Sequence, residues 1–149
     1  MSVTKPASAA AVTAISNLPL FSSSGTLASR LTEAFLAVRG ETERRAAPLS
    51  PEDQTVQSMP DASPAKWHRA HTTWFWEQFL LGQHSPGYVP FHPDYAFLFN
   101  SYYVSAGPRY ARAQRGHITR PGAEEITAYR RHVDAAVVKF FHDTNDKML

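Results

Sequence analysis

A chain of 149 residues, 43% hydrophobic and 19% charged, has room for one ordinary domain with a single core, which excludes a disordered or fibrous protein. Fifteen Lys and Arg against 13 Asp and Glu leave a net charge of only +2, too little for a basic nucleic-acid surface. With no cysteine there is no disulfide, thiolate metal site or cysteine nucleophile, and no apolar run is long enough to cross a bilayer, so a cytoplasmic protein without nucleic-acid or membrane partners is expected.

Residues 1–24 are rich in Ser, Ala and Thr, carry almost no charge, and are expected to form a poorly ordered extension before a helical domain over 25–149. From Thr26 onward Leu27, Leu31, Phe35 and Val38 recur at helical spacing, which predicts a first amphipathic helix to about Ala46. A second helix is predicted from Ser63 as N-cap and Pro64 as first helical residue. It holds three tryptophans and two phenylalanines between Trp67 and Phe79, and Gly82 is its natural stop.

From His84 to Arg120 prolines, glycines and scattered aromatics follow no helical period, which predicts a long crossover loop. Its arginines, Arg109, Arg112, Arg115 and Arg120, read as solvated charges first and as an anion-gripping loop second. A third helix begins after Pro121 and Gly122, with Glu124 and Glu125 in its first turn. Its apolar stripe is Ile126, Tyr129, Val133, Val137 and Phe140, and it ends between Asp143 and Asp146. The fold class is therefore all-α, an incomplete helical bundle of three main helices plus the crossover, in which the faces around Trp74, Phe75, Val133 and Val137 lack one wall.

Any transition metal held by a cysteine-free chain rests on His, Asp or Glu. Trp67, His71, Trp74 and Gln78 share one helical face, so His71 points where the apolar residues point. It is either a core histidine with satisfied ring nitrogens or a ligand, and spacing alone favours the core role. His68 could join His71 on one metal only with some adjustment, and the other five histidines have no ligand spacing and suit surface or capping roles. No catalytic residue can be assigned from the residues alone.

The runs Pro48-Leu49-Ser50-Pro51-Glu52-Asp53, Gln57 through Phe75 with Trp67-His68-Arg69-Ala70-His71, Pro90-Phe91-His92-Pro93, Leu98-Phe99-Asn100-Ser101-Tyr102-Tyr103, Gly107-Pro108-Arg109 and Tyr129-Arg130-Arg131-His132-Val133-Asp134 follow one family in order. Over about residues 27–141 the chain resembles the N-terminal DinB-like domain of the ergothioneine-biosynthesis sulfoxide synthases, the EgtB family. The resemblance implies a four-helix bundle joined to a C-terminal domain. It also implies iron(II) held by three histidines, and oxygen-dependent joining of a thiol, cysteine or γ-glutamylcysteine, to hercynine. By motif position His71 matches the first iron ligand, and the other two belong to a His-x-x-x-His-x-Glu motif on the fourth helix. No His-x-x-x-His occurs in this sequence. The chain is thus expected to be an N-terminal fragment that stops before the fourth helix, inactive alone. The alternative from a different class is a non-catalytic DinB-like binding or interaction module.

Overall fold

The computed structural model describes residues 25–144, so the N-terminal extension expected at 1–24 lies outside the described residues. Among the described residues there are three long helices and no strand, an all-α architecture. Helix α1 spans Leu27–Ala46, and its first turn is capped by Thr26, whose Oγ1 accepts from the Ser29 N–H at 3.2 Å. Phe35 is buried as its spacing predicts, but Val38 is 58% exposed and Arg39 takes the inward position. The rotation has a polar cause. Arg39 donates to Asp134 at 2.7 Å and to Thr73 at 2.6 Å, joining α1 to the other two long helices through one guanidinium. Val38 instead lines a shallow apolar groove of about 560 Å³ with Ala37, Leu49 and Ala65.

Helix α2 spans Ala65–Trp76 and runs on through a wider π turn, Glu77–Leu81, and a final turn, Gly82–His84. Two expectations about its ends are corrected. Ser63 makes no cap; its hydroxyl accepts from Arg115 at 2.8 Å, and Pro64 stands at the boundary in extended geometry while the Lys66 N–H finds the Gln54 carbonyl. Gly82 does not stop the helix either. Its N–H bonds the Glu77 carbonyl five residues back, and a Cβ there would meet that oxygen at 3.1 Å, so glycine serves the close approach of the π turn.

The crossover is less irregular than its sequence predicts. It holds one short helix, α3 at Tyr95–Leu98, and 3₁₀ turns at Val104–Ala106 and Arg112–His117. These turns escape periodicity because side chains satisfy their backbone: buried Asn100 accepts from the Tyr103 N–H and donates to the carbonyls of Tyr103 and Gly107, where φ is +98°. Helix α4 spans Ala123–Asp143 with Glu124 and Glu125 in its first turn, as expected.

The core forms where α4 packs on α2 and α1. Ile126, Tyr129, Val133 and Val137 are fully buried there against Trp74, and Phe141 rather than Phe140 completes the stripe. Trp74, Val133 and Val137 therefore do not lack a wall: all three are fully buried, and the crossover folds back over α2 to cover Trp74. Of the four residues expected at the gap only Phe75 is exposed, at 40%.

Candidate functional site

Three aromatic rings on one face of α2 meet the C-terminal end of α3. Trp67 Nε1 donates to the Leu98 carbonyl at 2.9 Å, Trp74 Nε1 to Ala96 at 3.2 Å, and His71 Nδ1 lies 2.7 Å from the Phe99 oxygen. The last carbonyls of a helix have no partner within it, so α3 needs donors from outside, and α2 supplies them from positions 67, 71 and 74. The two indoles hold the imidazole between them. Trp67 stacks on His71 at 4.8 Å and 15°, and Trp74 at 5.4 Å and 21°. Gln78, which ideal spacing puts on the same face, follows the point where the helix widens and is only partly buried.

The contact with Phe99 decides the chemistry of the ring. A carbonyl oxygen only accepts, so Nδ1 carries the hydrogen and Nε2 keeps its lone pair. Nε2 faces the Ser101 hydroxyl at 3.5 Å. Burial holds the His71 pKa below the ordinary histidine value; the Phe99 hydrogen bond pulls it back up, and the charges of Arg115 and His68 press it further down. A neutral imidazole with one oriented lone pair can bind a metal ion or accept a proton. Donation from the other nitrogen to a backbone carbonyl is the arrangement that fixes tautomer and ring orientation in metal-ligating histidines.

His68 is exposed and meets Trp67 edge-on at 5.6 Å, whereas His71 stacks flat on that ring. His92 accepts the Asp94 N–H, a capping role, and His132 packs against Tyr88 and Phe91. Among the described residues no group of three or more His, Asp or Glu side chains could hold a metal ion. A metal at His71 Nε2 would thus need donors besides this imidazole.

One wall of the site is aromatic and one cationic. Tyr103 lies 6.4 Å from the His71 ring and packs against Trp74, Phe75 and Phe79. The guanidinium groups of Arg109 and Arg112 lie over Tyr102 at 5.5 and 4.8 Å. Arg115 is no solvated charge: it is buried 3.5 Å from the Trp67 ring centre, on a column that continues through His71 to Trp74. Burial first, then the charges of Arg112 and Arg109, pull its pKa down to about 10. Among the described residues none of these three arginines is ion-paired with a carboxylate, unlike Arg39, Arg69 and Arg130 in the core.

Spacing singled out His71 but missed Phe99, whose contribution is a backbone oxygen, and Glu77, which lies fully buried beneath the site. A visible signal for Glu77 was its position in the aromatic run Trp74-Phe75-Trp76-Glu77, where a carboxylate has no ordinary reason to be.

No curated protein matches the chain. A family model described as the DinB superfamily matches residues 34–149, from the middle of α1 onward. A match over most of its length, on a helical fold, shows that the chain belongs to the DinB superfamily.

Proposed function

We propose that this DinB-superfamily chain is the helical part of a cytoplasmic iron(II)- and oxygen-dependent sulfoxide synthase of ergothioneine biosynthesis, with His71 as one metal ligand through Nε2. The observation that carries this assignment is the 2.7 Å contact between His71 Nδ1 and the Phe99 oxygen, which leaves Nε2 deprotonated and aimed away from α3. The bound metal would supply oxygen activation for joining the thiol sulfur to the imidazole ring of hercynine. The described residues offer one candidate ligand, and a facial set would need further donors such as the His-x-x-x-His-x-Glu motif that the resemblance implies. What the chain's own residues do is hold the ligand ring neutral, fix its tautomer and present a charged wall beside it. Hercynine and a cysteine-type thiol both carry carboxylates, and Arg109 and Arg112, which pair with no carboxylate among the described residues, are the charge complement to such groups.

The test joins the chain to the fourth helix and C-terminal domain of a related synthase and compares it with its His71→Ala variant for iron content and oxygen-dependent consumption of hercynine plus thiol. Iron loading and turnover should both collapse in the variant, and the chain alone should show neither. Equal loading in the two joined proteins would sink the ligand assignment. A second function, a non-catalytic binding module, is favoured by the exposure of Phe75 and Tyr103 on one continuous aromatic patch. It predicts that the joined protein binds no iron whatever residue stands at 71.

A further inference from the structure

Glu77 is 1% exposed, yet no Lys, Arg or His forms an ion pair with it among the described residues. A buried carboxylate has to be satisfied by hydrogen bonds. Its Oε1 accepts from the Tyr88 hydroxyl at 2.7 Å and from the Phe91 N–H at 3.1 Å, and its Oε2 accepts from the Tyr129 hydroxyl at 2.6 Å. Burial and the adjacent carboxylate push both tyrosine pKa values above the ordinary phenol range, so both hydroxyls remain donors. The three donors come from the start of the crossover and from α4, while Glu77 itself opens the π turn of α2.

This anchorage leads to the site through rigid contacts. Phe91 packs on Tyr95 at 5.9 Å and on Tyr129 at 5.4 Å, Tyr95 packs edge-on to Phe99 at 5.0 Å, and the Tyr95 hydroxyl bonds Glu125 at 2.6 Å. Phe99 in turn offers its carbonyl to His71. Residues 88–99 are thus held at one end by Glu77 and at the other by the ring N–H groups of Trp67, His71 and Trp74.

We infer that Glu77 is a positioning residue for His71: by pinning Tyr88 and Phe91 it keeps the Phe99 carbonyl within reach of Nδ1, and so keeps His71 in the tautomer whose Nε2 is free. The functional meaning of this tautomer rests on the proposed ligand role, but the tautomer itself is measurable without metal. With ¹⁵N-labelled protein, long-range ¹H–¹⁵N correlation spectra of His71 should show a protonated-type Nδ1 and a lone-pair-type Nε2. In Glu77→Ala the two shifts should converge, because once the Phe99 oxygen lets go the Nε2–H form becomes accessible. Glu77→Gln should retain the wild-type pattern: its amide oxygen can serve Tyr88 and Phe91, and its NH₂ can donate to the Tyr129 oxygen. Phe141→Ala, whose ring meets Phe35 and Trp76, loosens the core away from this chain of contacts and should leave the His71 shifts in place. If Glu77→Ala does not fold, Tyr88→Phe tests the same anchor and should move the shifts in the same direction. Wild-type His71 shifts in folded Glu77→Ala or in Tyr88→Phe would overturn the inference, as would Phe141→Ala moving them equally. Failure of the ligand assignment would show separately, as unchanged iron loading in His71→Ala while the tautomer still depends on Glu77.

Discussion

At the scale of single residues, His71 combines burial with one fixed hydrogen bond, and its pH behaviour follows. Its folded pKa lies below the ordinary histidine value, mainly through desolvation. Between the two values the unfolded chain binds more protons than the folded one, so stability increases with pH across that window. The contribution is fully present above about pH 6.5 and is lost as pH falls toward the folded pKa. Urea denaturation of wild type at a series of pH values from 7.5 downward should show this decline, and His71→Gln should flatten it, with the remainder due to His68, also lowered by desolvation and by Arg115 and Arg112. Trp67→Phe keeps the stacked ring but removes the donor to Leu98, leaving a helix-end carbonyl unpaired. A loss of about 1–3 kcal/mol is expected by chemical denaturation. A loss below about 0.5 kcal/mol would mean that the ring N–H groups of α2 do not hold α3.

Among the helices, the two glycines of α1 and α2 separate local propensity from packing. Gly40 lies inside α1 on the exposed side, with nothing within 4 Å of where a Cβ would stand. Gly40→Ala should therefore raise stability by about 0.5–1 kcal/mol, the ordinary gain from restricting the unfolded chain. Gly82 is also helical, but its added Cβ would press on the Glu77 backbone oxygen at 3.1 Å, and a backbone oxygen in a hydrogen-bonded turn cannot swing aside as a long side chain does. Gly82→Ala should show no such gain, and thermal melts of the two variants beside wild type read the contrast directly. A gain at Gly82 equal to that at Gly40 would mean that the π turn relaxes without cost.

For the molecule as a whole, a largely buried polar network ties α1 to the other two long helices beside the apolar packing. Arg39 reaches Asp134 on α4 and Thr73 on α2, while Glu43 accepts from Arg69 at 2.6 Å and pairs with Arg130 at 2.5 Å. Removing one partner of a buried pair leaves the other charge uncompensated. Arg39→Ala should cost about 2–3 kcal/mol, below the ~3–5 kcal/mol of a wholly enclosed pair, because Asp134 keeps some access to solvent. The expected signature is a cooperative urea transition shifted to lower denaturant. No helix among the described residues is long and apolar enough to cross a membrane.

Residue order alone determined the three long helices, the bounds of α1 and α4, and the shared face of Trp67, His71 and Trp74, because local periodicity and end signals act within a few residues. It could not determine what those faces meet. Val38 and Arg39 are neighbours on α1, and the choice of which one turns inward rests with Asp134, 95 residues beyond Arg39. Arg115 reads as a loop charge until Trp67 and Ser63 are brought beside it. The short turns of the crossover are stabilised by side-chain hydrogen bonds, of Asn100 within it and of Gln57 outside it, and leave no period to read. The decisive case is His71: its position on the face follows from spacing, but its tautomer depends on a backbone oxygen 28 residues away that any residue at position 99 would also carry. Tertiary structure decided that point because a carbonyl's direction is set by the fold around it, here by the end of α3 and its anchorage on α2 and α4.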